Sequence, residues 1–262
     1  MNVLNKKPYI IAVSNQKGGV GKTTTAINVA TALAAAGRKV LLIDLDPQGN
    51  ATVSLGVSRA KAARNAYDVM MGDATISSAI IWTKIPNLSV IAASKDLAGV
   101  DFELAQKKNP QFYLKKAFDQ ESLAYDYIFI DCPPSVGMLT VNALVAARGV
   151  MIPVQCEYLA LEGLADLMKT VELVHRNFNH DLIIQGLVLT MYDGRTGLSE
   201  VVAQDVRNYF GDKVYKTVIP RNVRVSEAPS HGKPILLYDF KSRGSQAYIG
   251  LAAEILKQEV KK

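Results

Sequence analysis

Two cysteines, Cys132 and Cys156, are all that the 262 residues contain. They stand in separate segments, too few for a disulfide framework and too far apart for a zinc or cluster motif, and both read as reduced thiols beside a sheet. No apolar run approaches the roughly 18 uncharged residues of a membrane span. Residues 1–8 are short and polar and lack the apolar stretch of a secretion signal, so a cytoplasmic protein is expected. Repeats, low-complexity tracts and long linkers are missing as well. The expectation is one domain over residues 1–262, with 1–8 as a short tail. Tryptophan occurs once, at Trp82, and is expected in packing.

What is present is an alternation. Short apolar, β-rich runs at 9–15, 39–45, 88–93, 127–131, 150–154, 183–190 and 214–219 are continuous in hydrophobicity, which suits strands buried on both faces of a parallel sheet. Helical stretches lie between them at 24–36, closed by Gly37, and at 139–147, 161–177 and 200–209. Strand and helix in turn predict an α/β fold, a doubly wound, mostly parallel sheet flanked by helices, with ligands beyond the carboxyl ends of the strands.

Between the first strand and the first helix runs Lys17-Gly18-Gly19-Val20-Gly21-Lys22-Thr23-Thr24. Glycines let backbone amides converge on phosphate oxygens at a helix N-terminus, so this is a phosphate loop of the P-loop NTPase fold. Lys22 is expected on the β- and γ-phosphates, the Thr23 hydroxyl on Mg2+, and Thr24 at the α-phosphate. The strict Walker pattern fails at its first position, where Gln16 replaces glycine, and an additional lysine, Lys17, opens the loop. A second signal is Tyr127-Ile128-Phe129-Ile130-Asp131, an apolar strand ending in the carboxylate that would hold Mg2+. A third is Leu41-Leu42-Ile43-Asp44-Leu45-Asp46, which ends its strand at Asp44, with Asp46 on the same side of the chain. Guanine recognition needs a lysine that Thr190-Met191-Tyr192-Asp193 lacks, so ATP is expected.

The phosphate loop resembles that of the deviant Walker A ATPases, which include ParA/Soj partition proteins, MinD and the nitrogenase iron protein. This resemblance implies that Lys17 reaches a partner's phosphates across a nucleotide-sandwich homodimer. It also implies that Asp44 positions the attacking water and supports the Mg2+ shell, and that Pro220 and Asn222 of Pro220-Arg221-Asn222 flank adenine. The iron–sulfur branch needs two cysteines in glycine-rich loops, which Cys132 and Cys156 do not provide. A MinD-like membrane cycle would use an amphipathic last helix. Tyr248, Leu251, Ala252, Ile255 and Leu256 have that spacing, and a core face is the reading preferred.

Residues 191–244 and the motifs before them look most like chromosomal ParA/Soj proteins, a similarity that spans nearly the whole chain. The formal charge is +6, and residues 195–262 carry twelve Lys and Arg against seven Asp and Glu. The resemblance implies nucleoid association, with non-specific double-stranded DNA contacts at Arg195, Arg221, Arg224 and Lys241, and a ParB/Spo0J-like centromere-binding partner that stimulates hydrolysis. Phosphate neutralisation alone can supply such DNA affinity. No DNA-reading extension is expected before Tyr9, and no stable membrane insertion. His231 is assigned no catalytic role.

Overall fold

A computed structural model describes residues 7–158 and 160–260. Residues 1–6 of the expected tail and the basic pair at 261–262 lie outside the described residues.

Seven strands form one sheet: β1 (Tyr9–Val13), β2 (Val40–Asp44), β3 (Ile80–Trp82), β4 (Leu88–Ile91), β5 (Tyr127–Asp131), β6 (Gly149–Gln155) and β7 (Ile183–Thr190). Their order is β3-β4-β2-β5-β1-β6-β7, parallel throughout except for the pairing of β3 with β4. The helices are α1 (Lys22–Ala35), α2 (Asn50–Ser54), α3 (Ala66–Met71), α4 (Ile76–Ala79), α5 (Val100–Ala105), α6 (Tyr113–Asp119), α7 (Met138–Ala146), α8 (Ala160–Asn177), α9 (Gly197–Phe210), α10 (Val223–Glu227), α11 (Ile235–Tyr238) and α12 (Arg243–Val260).

Successive side chains of a strand point to opposite faces, and here both faces are apolar. Ala12, Leu41, Ile43, Ile128 and Ile130 pack under α5, α6, α7 and α8, while Ile11, Val13, Leu42 and Phe129 pack under α1, α11 and α12. The α12 residues Tyr248, Leu251, Ala252 and Ile255 are buried against that second layer. The apolar face of this helix is therefore core, as the sequence reading preferred. Among the described residues no helix is long and apolar enough to cross a membrane.

Three local outcomes depart from expectation. The run at 214–219 is not a strand. The Tyr215 and Ile219 amides donate to Leu187 and Leu189 of β7, but Glu254 of α12 accepts the intervening Lys216 and Thr217 amides at 2.9 and 2.7 Å and draws the chain out of the ladder. The antiparallel edge strand β3 was unforeseen. It carries Trp82, which is 78 % exposed rather than packed.

Candidate nucleotide site

β2, β5 and β1 are neighbours at the centre of the sheet, and each ends in a segment that builds the site. From β1 the chain enters the glycine loop and then α1. Gly19 and Gly21 have φ of +77° and +87°, which side chains with a Cβ rarely adopt, so these two glycines set the path of the loop. Two further residues shape it. Asn15 donates to the Pro153 carbonyl at 2.7 Å and accepts from the Lys17 amide at 3.0 Å. Thr190, at the end of β7, donates to the Val20 carbonyl at 2.8 Å. Neither was assigned to the loop from the sequence, because each partner lies far away along the chain or belongs to the backbone.

Lys22 opens α1 and is buried, its Nζ donating to the Lys17 carbonyl at 3.0 Å. Burial pushes its pKa down, against the opposing pull of the Asp131 carboxylate. Thr23 and Thr24 follow in the first turn of α1. Lys17 does not stand free: its Nζ pairs with Glu157 Oε1, and the other Glu157 oxygen accepts from Gln155 at 2.7 Å. Glu157 lies 140 residues away, just beyond β6, and no sequence signal marked it.

Asp44 and Asp131 end β2 and β5 at paired register positions, and Val13 of β1 flanks Asp131 on its other side. Both carboxylates are fully buried. Asp44 accepts from the Thr52 amide at 2.8 Å, the Thr52 hydroxyl at 2.6 Å and the Asp46 amide at 3.2 Å. Burial still pushes its pKa up to about 6. Neither carboxylate oxygen of Asp131 has a hydrogen bond, although the Thr23 hydroxyl lies near enough to favour the charged form. Burial first, and the Asp44 charge second, raise the Asp131 pKa well above the ordinary range. Asp46 is also buried, with Oδ1 accepting from the Gln48 amide at 2.9 Å.

An unpaired buried carboxylate is costly, and its usual remedy is a cation. Here it lies beside a phosphate loop, with a threonine hydroxyl and a lysine. That donor set fits Mg2+ held jointly by few protein oxygens and the phosphates of a nucleotide. Among the described residues no group of three or more His, Cys, Asp or Glu could hold a metal alone.

Residues 8–184 match the family model described as an AAA domain. The chain is 56 % identical over 252 residues to the chromosome partitioning protein ParA of Caulobacter vibrioides (strain NA1000 / CB15N), covering 95 % of this chain and 94 % of that one. It is 55 % identical over 246 residues to the sporulation initiation inhibitor protein Soj of Bacillus subtilis (strain 168), covering 94 % and 97 %. The chain belongs to the ParA/Soj family of chromosome-partitioning ATPases. Among solved structures, it superposes with a TM-score of 0.84 and 37 % identity on cobyrinic acid a,c-diamide synthase of Mycobacterium smegmatis, covering 95 % of this chain and 94 % of that one. That protein was crystallised with ADP and magnesium.

Of the remaining positions implied by the ParA/Soj resemblance, Pro220 and Asn222 lie beside the end of β7. The Tyr192 amide donates to Ile219 at 3.0 Å and the Arg221 amide to Tyr192 at 2.9 Å, which places Pro220 and Asn222 next to that strand end. The Asn222 side chain caps α10 by accepting from the Arg224 amide at 2.9 Å. Arg195, Arg221, Arg224 and Lys241 are all exposed. Arg195 forks onto Asp193 through two bonds of 2.9 and 2.7 Å, and Arg224 is shared between Glu227 at 3.0 Å and Asp239 at 3.6 Å. His231 stacks on Tyr238 at 4.8 Å. Cys132 and Cys156 are buried free thiols.

Proposed function

We propose that this chain is a Mg2+-dependent ATP hydrolase that segregates DNA, binding non-specific duplex as an ATP-held homodimer and releasing it on hydrolysis. The observation that carries the hydrolase reading is the unpaired, buried Asp131 carboxylate beside Lys22 and Thr23. ATP and Mg2+ are the cofactors. The amides of Gly18, Gly19, Val20 and Gly21 cradle the phosphates, Lys22 neutralises the β- and γ-groups, and Thr24 contacts the α-phosphate. Thr23, Asp131 and Asp44 hold Mg2+, which when bound offsets the charge of the phosphate oxygens. Asp44 orients the attacking water, and a preorganised carboxylate needs no rearrangement to do so. Pro220 and Asn222 flank the base.

Lys17 acts in trans, so nucleotide state sets dimerisation. A dimer doubles the exposed Arg195, Arg221, Arg224 and Lys241, and counterion release makes the resulting affinity steeply salt-dependent. A ParB-like centromere-binding partner stimulates hydrolysis, and the working place is the nucleoid. One domain carries all these parts.

The test is retention on non-specific duplex DNA against anionic liposomes, with ADP, ATP and a slowly hydrolysed ATP analogue, over a salt series. Salt-sensitive retention on DNA with triphosphate alone is expected. Liposome binding without DNA retention would move the protein to a MinD-like membrane cycle, and DNA binding indifferent to nucleotide would make it a scaffold.

A further inference from the structure

Thr52 is fully buried in the five-residue α2, and it binds Asp44 twice. Its amide and its hydroxyl converge on a single carboxylate oxygen, Oδ2, at 2.8 and 2.6 Å. The hydroxyl oxygen also accepts from the Ala93 amide at 3.0 Å, just beyond the end of β4. A backbone amide only donates, so the Thr52 proton must be directed at Asp44. The hydroxyl therefore has one orientation, set by the sheet. Oδ1 takes only the longer Asp46 amide contact, at 3.2 Å. One oxygen of the carboxylate is saturated and anchored to β4 through Thr52, and the other keeps acceptor capacity.

We propose that Thr52 is the positioning residue for hydrolysis: it fixes the rotation of the Asp44 carboxylate so that Oδ1 is the oxygen that takes the attacking water. This inference rests on the reading of Asp44 as the group that orients that water. It assigns to Thr52 a share of the catalytic rate, beyond the satisfaction of a buried acid. Holding a reacting group in one geometry is where much of an enzymic rate arises, and a small rotation of the carboxylate forfeits it.

The experiment compares Thr52→Val, Thr52→Ser and Asp44→Ala in the full chain. It follows steady-state ATP hydrolysis and the melting shift produced by Mg2+-ATP. Valine keeps the shape and removes the proton. With it kcat should fall about tenfold or more, with KM for ATP within about twofold and the melting shift retained. Serine should restore most of the turnover. In the Asp44→Ala background, Thr52→Val should add no further loss, because the two residues act as one unit. Wild-type kcat in Thr52→Val beside an impaired Asp44→Ala overturns the inference alone. Serine as slow as valine also overturns it, since the hydroxyl would not then be the operative group. Normal turnover in Asp44→Ala overturns the underlying reading instead. If Thr52→Val does not fold, Thr52→Ala against Thr52→Ser gives the same comparison.

Discussion

Asp44 and Asp131 are register partners on adjacent parallel strands, and both are fully buried. Burial raises the pKa of both, and like charge adds to it: Asp44 raises Asp131, and Asp46 raises Asp44. Thr52 bonds relieve Asp44, whereas at Asp131 the Thr23 hydroxyl stays outside hydrogen-bond geometry and both carboxylate oxygens lack hydrogen bonds. The carboxyl ends of β2 and β5 are thus destabilised in the nucleotide-free protein.

Replacing the more isolated carboxylate should therefore stabilise the empty protein. Asp131→Asn is expected to raise stability by about 1–3 kcal/mol, since it removes the repulsion with Asp44 and the cost of a buried carboxylate that has no hydrogen bond. The melting temperature without nucleotide should rise, and the further rise that Mg2+-ATP gives the wild type should be lost. A lower melting temperature for Asp131→Asn would contradict the account.

The raised pKa of Asp44 gives a pH signature. Folded Asp44 keeps its proton up to about pH 6. The unfolded chain releases it near 3.9, so between those values the folded state binds more protons. The stability tied to this proton is fully present below about pH 4 and is lost as pH rises through about 6. Asp44→Asn does not titrate there. It should melt above the wild type at pH 7.5, with the gap closing toward pH 5, as thermal unfolding at the two pH values would show.

Lys17 cannot occupy Glu157 and a partner's phosphate together. Lys17→Ala should bind ATP yet remain monomeric in light scattering. Glu157→Gln should dimerise with ATP at lower protein concentration than the wild type. Both side chains of the pair are 37 % exposed, so its contribution to folding is only about 0–1 kcal/mol, and the melting temperature of Glu157→Gln should barely move. Stable dimers of Lys17→Ala would remove the trans role.

The basic residues should not contribute equally to DNA retention. Each phosphate contact adds roughly one to the slope of log affinity against log salt. Arg224 is shared by Glu227 and Asp239, whereas Lys241 forms no ion pair among the described residues. Lys241→Ala should reduce the slope by about one, and Arg224→Ala by less. Equal slopes for the two variants would show that the acidic neighbours let go of Arg224 on DNA.

The central strands and the glycine loop were legible because their signals are local: runs buried on both faces, and a glycine pattern wedged between strand and helix. The edges were not. Ile80-Ile81-Trp82 is too short for a period to show, and 214–219 has the composition of a strand but loses two amides to Glu254 on a later helix. The carboxylates of the site could be named from sequence, but not what holds them. Thr52 and Glu157 are ordinary residues until folding brings them to Asp44 and Lys17.

Past α2, Gly56 meets Gly232 of the 228–232 turn, main chain against main chain; a Cβ on Gly56 would lie 3.0 Å from the Gly232 carbonyl oxygen, and one on Gly232 would lie 3.0 Å from the Gly56 Cα. Both glycines have positive φ, +72° and +60°. With no side chain between them, no rotamer can absorb a shift. The segment that carries Thr52 and the segment that leads to Lys241 are in this sense gears with no backlash. Neither can close on the other without main chain meeting main chain, so a side chain at either glycine would act as a wedge between the turn that follows Thr52 and the turn that precedes Lys241.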